Sequence, residues 1–276
     1  MDSKISQANA VAKIRNQECF GALDSDGIWR ISIKEYTPLV CMALHDGSGF
    51  PLELEPHCLL APAERIFEED PHTAELLVSQ PIVLSGLDSR YFYDLNRPAE
   101  HCDEIVVFGR RVWKKDVHPL SLLAKRRHET FYALFKVLVD KLVELFGYCL
   151  IIDIHSYNYS RIGRETPLFN LGTANYKRDD AHLFARQWKQ VLAETRFPGI
   201  KIPVAENDVF KGDGYLLQWV QREFPETCLT VCIDIKKIYC DEATGELYPL
   251  QFRRLTEILN KALRSTTHIF PEGRLA

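Results

Sequence analysis

The chain has 276 residues, of which 46% are hydrophobic and 26% charged, so it can bury a sizeable core like an ordinary globular protein. Lys and Arg total 34 against 38 Asp and Glu, a formal charge of −4 that gives no general attraction to nucleic acid or to an anionic membrane. No apolar run approaches the roughly 20 residues needed to span a bilayer, and the opening MDSKISQANAVAKIR has no apolar signal core. A cytoplasmic protein is expected, with no nucleic-acid partner and no membrane. The eight cysteines are scattered without a C-x-x-C pair, and several lie in apolar runs. They read as reduced, buried thiols rather than metal ligands.

No linker, repeat or low-complexity tract divides the sequence, so one domain over 1–276 is expected. In chain order, 39–44 (LVCMAL) reads as a buried strand emptying into His45, Asp46 and the turn Gly47-Ser48-Gly49. Residues 63–79 read as a helical stretch interrupted by Pro71, with a helix start near Asp70. Residues 91–95 alternate and predict a strand before the turn Asn96-Arg97-Pro98, and 105–108 predicts another. From 119 to 146 apolar residues recur at three and four, a long helix capped by Gly147. CLIIDIH (149–155) follows as a strand buried on both faces. Further elements are a helix over 181–193, a strand over 230–235 and a terminal helix over 250–263. Helices alternating with short apolar strands predict an α/β fold, a sheet covered on both faces, with ligands at the carboxyl ends of strands.

His45, Asn96-Arg97, His155 and Asp234 fall at or near such ends. Each histidine follows an apolar run directly. In a strand Asp153 and His155 share a face, so Asp153 can orient the imidazole as carboxylates do for metal-bound histidines. A hydrogen-bonded core histidine is the competing reading for either residue alone. Together they point to a metal, and a catalytic zinc site wants three protein ligands with a position left for water. The third ligand is open among Glu68, Glu69 and Asp70, which also read as a solvated acidic helix start. Arg97 beside Asn96 suits a forked grip on a carboxylate, and Arg90 can polarise a scissile carbonyl. Asp234, inside an apolar strand, reads as a general base with a raised pKa or as half of a salt bridge with Lys236 or Lys237.

The segments HDGSGFP, EEDPHTAEL, SRYFYDLNRP, DIHSYN, FNLGTAN, VFKGDGYL and CIDIKKIYCDE, in that order from His45 to Glu242, resemble the N-formylglutamate amidohydrolase family. The resemblance implies a fold similar to the zinc carboxypeptidases: a mixed sheet, helices on both sides, and a metal at strand ends. It implies zinc held by His45, Asp70 and His155, with Glu69 as the rival to Asp70. It implies Asn96 and Arg97 on a substrate carboxylate, Arg90 on the carbonyl, and Lys211 and Gly212 as a turn lining the site. Another first-row divalent ion suits the same ligands. The implied substrate is a small N-acyl amino acid such as N-formylglutamate, or else a peptide trimmed at its C-terminus. A non-catalytic ligand-binding relative is the remaining alternative. Two positions depart from the family pattern. Asp234 stands where the strand acid is usually Glu, one methylene shorter. Asp46 adds a carboxylate after the first histidine and is expected beside the metal.

Overall fold

The computed structural model describes residues 3–269. The strands are β1 (Ser3–Ile5), β2 (Phe20–Asp24), β3 (Trp29–Ile33), β4 (Leu39–Ala43), β5 (Ile82–Gly86), β6 (Val106–Val107), β7 (Arg110–Arg111), β8 (Cys149–Tyr157), β9 (Phe169–Gly172), β10 (Val204–Glu206) and β11 (Cys228–Lys236). The helices are α1 (Gln7–Arg15), α2 (Pro62–Glu68), α3 (Thr73–Leu76), α4 (Ser121–Phe146), α5 (Asp179–Ala193), α6 (Tyr215–Glu223) and α7 (Pro249–Ile269). Nine strands form one mixed sheet in the order β1-β2-β3-β5-β4-β8-β11-β9-β10, and β6 and β7 pair as a separate ribbon.

The centre of the sheet, β5-β4-β8-β11, is parallel. Its strands read as continuous apolar runs because both faces are covered. Alternation sorts their side chains into two cores. Val40, Met42, Cys149 and Ile151 pack toward Phe131, Leu134, Phe135 and Leu138 of α4. Cys41, Ala43, Ile152 and Ile154 pack toward Phe184 and Trp188 of α5 and Leu255 and Leu259 of α7. The fold is therefore an α/β sheet covered on both faces, as the sequence pattern predicts, and the sheet is mixed, as the family resemblance implies.

Two elements differ from their expectation. Residues 91–95 form no strand, although they alternate. Local hydrogen bonding wins there: the Ser89 carbonyl accepts from Phe92 N, and Asp94 Oδ1 accepts from Asn96 N at 2.9 Å, a turn closed by a side chain. Tyr91, Phe92 and Tyr93 are buried by tertiary packing instead. The stretch 63–79 is two helices, and the second begins at Thr73 rather than near Asp70. His72 adopts a left-handed backbone (φ 66°), which breaks the helical path after Pro71.

Candidate metal centre and cleft

The site lies where one face of the sheet loses its helix. Along β8, Cys149 and Ile151 are covered by α4, but Asp153 and His155, next on the same face, open into a cleft of about 500 Å³. On β11, Asp234 pairs in register with His155, bringing the two side by side at a strand spacing of about 4.8 Å. His45 enters two residues beyond the end of β4.

Asp70 reaches the histidines through its backbone. Its N–H donates to the His45 carbonyl at 2.9 Å. The bend on which it sits is held from beneath by three buried side chains. Lys237 donates to the carbonyls of Phe67 (2.9 Å) and Glu69 (2.6 Å), Asn158 to that of Phe67, and Tyr239 to that of Pro71 (3.0 Å). Carbonyls in the last turn of α2 and in the loop after it have no sheet or helix partner, and burying them unpaired would be costly. Lys237 is therefore occupied with this bend and not with Asp234, and burial pushes its pKa down. Lys236 instead lies near Glu165 at 3.5 Å. The alternative reading of Asp234, a salt bridge to either lysine, is not what forms.

Three acceptor atoms then converge. His45 Nδ1 lies 3.2 Å from His155 Nδ1, and Asp70 Oδ2 lies 3.1 Å from His155 Nδ1 and 3.4 Å from His45 Nδ1. Metal bonds of about 2.0–2.1 Å in a tetrahedron place ligand atoms about 3.3–3.4 Å apart. The triangle matches one face of that figure. All three residues are buried.

The outer nitrogens are also provided for. His45 Nε2 meets Asp94 Oδ1 at 2.7 Å, and His155 Nε2 meets Asp153 Oδ1 at 3.1 Å, the latter without hydrogen-bond alignment. The hydrogen bond to Asp94 makes Nε2 of His45 the protonated nitrogen and leaves its Nδ1 with a lone pair, and the Asp153 charge beside His155 Nε2 favours the same tautomer there. Two lone pairs and a carboxylate oxygen facing one another repel unless a positive charge sits among them. The electrostatics of the site make the same demand. Burial disfavours a charged His155, but Asp153 and Asp70 outweigh it and raise its pKa well above the usual range. Burial alone would raise the Asp70 carboxyl, yet His155 and His45 hold it below the carboxylate range. The donor set thus fits a small divalent cation.

Glu69, the rival ligand, turns away: it is buried and accepts from Ser89 Oγ. Asp46 also turns away. Its Oδ1 accepts from Ala74 N at 3.0 Å, capping α3, and it does not line the cleft. The expectation of an extra carboxylate beside the metal is corrected accordingly.

The remaining expected residues gather on the cleft walls, with one exception. Arg90 stacks over Phe108 (4.8 Å to the ring centroid) and donates to Asp94 Oδ2 at 2.9 Å. Asp94 thereby joins Arg90 to His45, and burial is overcome by Arg90 and His45 to hold its pKa well below normal. Asn96 Nδ2 lies 3.4 Å from His155 Nε2. Arg97 Nε lies 3.4 Å from Asp94, and its Nη1 pairs with Glu104. Asp234 Oδ2 accepts from Asn170 Nδ2 at 2.9 Å. Burial raises the Asp234 pKa to about 7, against the opposing pull of His155 and Asn170. Lys211 is the exception. It is exposed and does not line the cleft, whereas Gly212 and Asp213 do.

Sequence reasoning missed Asp94 as the partner of His45, and Asn170 and Lys237 as supports. Asp94 stands two residues before Asn96, and its short side chain in a turn is a weak signal for contact 49 residues away. Asn170 stands in FNLG, an amide inside an apolar strand, and such a residue asks for a buried partner.

The sequence model of the N-formylglutamate amidohydrolase family matches residues 37–239. No curated protein matches the chain. Among solved structures, an N-formylglutamate amidohydrolase from Ralstonia eutropha JMP134 superposes with a TM-score of 0.70 at 20% identity, covering 88% of this chain and 98% of that one. A gene product from Agrobacterium tumefaciens superposes with a TM-score of 0.60 at 19% identity, covering 87% and 96%. At these identities the superpositions bear on the fold, which they share with this chain.

Proposed function

The chain belongs to the N-formylglutamate amidohydrolase family, and from that premise we propose that it hydrolyses the C–N amide bond of a small N-formyl or other N-acyl amino acid with a zinc ion held by His45, Asp70 and His155. The observation that carries this reading is the triangle of acceptor atoms 3.1–3.4 Å apart, with a carboxylate behind each imidazole. A bound divalent ion would supply Lewis acidity to the amide carbonyl and ease the ionisation of a water.

The rest is the work of this chain's side chains. Asp94 fixes the ring orientation of His45 through its hydrogen bond, and the Asp153 carboxylate beside His155 Nε2 favours the charge that ring carries. Asp234, with one oxygen tied to Asn170, offers the other as proton acceptor to the attacking water. It then passes the proton to the leaving amine. Burial raises this carboxyl above the ordinary carboxylate range, which suits it to both steps near neutral pH. Its position next to His155 across the β8–β11 pair supports the reach of the shorter acid. Arg90, pinned by Asp94, faces the developing oxyanion, a contribution of about 3 kcal/mol. Arg97 retains Nη2 for the substrate carboxylate, with Asn96 beside it. We assign Lys211 no substrate contact. The unbroken sheet from Ser3 to Lys236 supports treating the chain as one catalytic domain. Among the described residues no helix is long and apolar enough to cross a membrane.

The test is metal analysis joined to kinetics. Purified protein is expected to hold about one equivalent of zinc and to release formate from N-formyl amino acids. Removal by a chelator should abolish turnover and zinc should restore it. Protein that binds no stoichiometric divalent metal, or that turns over equally well without it, would sink the proposal.

A further inference from the structure

The segment Lys211-Gly212-Asp213-Gly214 reverses the sign expected of it. Gly212 has φ +72°, and a Cβ there would lie 2.3 Å from the Gly172 carbonyl oxygen. A Cβ on Gly214 would lie 2.4 Å from the Asn96 side chain. The backbone on both sides of Asp213 is thus pressed against its neighbours: Gly212 admits no side chain, and one at Gly214 would have to displace the Asn96 amide. Hydrogen bonds lock the same turn: Tyr215 N donates to Asn96 O at 3.1 Å, Leu216 N to Asn96 Oδ1 at 3.2 Å, and Gln218 Nε2 to Asp213 O at 2.7 Å. Asp213 lines the cleft, directly beside the Asn96–Arg97 end, and Lys211 does not.

The charge around it has the same sense. Each arginine of the cleft already faces an acid: Arg90 with Asp94 at 2.9 Å, Arg161 with Glu68 at 2.6 Å, and Arg97 with Glu104 and Asp94. Lys237 is spent on two carbonyls. The Asp213 carboxylate has no partner among the described residues. A second carboxylate on the substrate, beyond the one that Arg97 receives, would meet Asp213 and no unpaired cation.

We propose that Asp213 sets the substrate class: this chain prefers N-acyl amino acids whose side chain is cationic or neutral over those with an acidic side chain. The inference rests on the amidohydrolase reading and refines it. Two charges about 4–6 Å apart at a solvated cleft wall interact by about 1 kcal/mol or somewhat more, so attraction on one side and repulsion on the other separate the substrates by roughly tenfold to a hundredfold.

The experiment compares kcat/KM of the zinc-loaded enzyme for N-formyl-lysine, N-formyl-leucine and N-formylglutamate, in the wild type and in Asp213→Asn and Asp213→Lys. The expected wild-type order is lysine, then leucine, then glutamate. Asp213→Asn should compress the spread, and Asp213→Lys should invert it, through KM with kcat little changed. The preference should also shrink at high salt. Calorimetric titration of metal-free protein with the same three compounds reads binding without turnover, and the same order is expected. Wild-type preference for the glutamate compound, with all three turned over, would overturn this inference and leave the amidohydrolase intact. So would an order that neither variant moves. Turnover of none of the three would overturn the amidohydrolase reading; the calorimetric order then decides the inference by itself.

Discussion

The two ends of the cleft are built differently. At the inner end His45, Asp70 and His155 are buried, and the second nitrogen of each imidazole meets a carboxylate. At the outer end Asp213 is exposed, and only its backbone is fixed. A buried constellation of this kind tolerates no substitution, because each member leaves another uncompensated. An exposed side chain on a rigid turn can change sign without disturbing the fold. Chemistry is therefore set at the inner end and selectivity at the outer, and variants should separate the two.

The largest effect is expected from the inner triangle. Asp70→Ala or His155→Ala should remove stoichiometric metal, as elemental analysis would read. Losing several kcal/mol of transition-state stabilisation corresponds to a fall of roughly 10³-fold or more in kcat/KM. Retained metal with full activity in either variant would break the comparison at its inner end.

Asp234→Asn comes next, with kcat expected to fall about 10²–10⁴-fold while metal content is kept. The pH dependence has two opposite signs. The base must be ionised, and burial raises its pKa to about 7. A bound divalent cation favours the carboxylate and lowers that value, so wild-type activity should fall about tenfold per unit of pH along an acidic limb that lies below 7, and the Asn variant should lose this limb. For stability, a carboxyl whose folded pKa is raised contributes fully below its unfolded value near 4, and the contribution is lost as pH rises through about 7. Metal-free Asp234→Asn should accordingly melt about 2–6 °C above the wild type at pH 8 and level with it at pH 4. Calorimetry at the two pH values reads this directly.

A smaller loss is expected from the carboxylate behind the first ring. Asp94→Asn keeps the shape but removes the charge that fixes His45 and Arg90. Zinc affinity should fall about 10–100-fold, measured by competition with a chelator, and saturating zinc should restore part of the activity.

The inner end was far more legible in the sequence than the outer. His45 and His155 announce themselves because a polar residue ending an apolar strand is costly without a purpose, and the face shared by Asp153 and His155 follows from a period of two. Asp70 needed the motif order, since composition gives no reason to prefer it to Glu69. Only the fold shows the Asp70 N–H on the His45 carbonyl and Lys237 under the bend. Periodicity failed at 91–95, where alternating aromatics are buried by a loop closed through Ser89 and Asp94. It was also blind to the outer turn. In KGDG the direction of the side chains depends on the left-handed backbone of Gly212 (φ +72°), which the sequence does not reveal, so the lysine and the aspartate could not be ranked.

Asp46→Ala tests the boundary between the two ends with the smallest effect. It follows His45 directly, yet its carboxylate caps α3 through Ala74 N at 3.0 Å and Thr73 Oγ1 at 3.5 Å. A lost cap costs about 1 kcal/mol, which in a chain of this length lowers Tm by about 2–4 °C. Because the side chain lies outside the cleft, zinc stoichiometry and the ranking of the three N-formyl substrates should stay as in the wild type. A ranking moved toward the glutamate compound would instead mean that Asp46 contributes to the field felt by substrate, and selectivity would then be shared with the inner end.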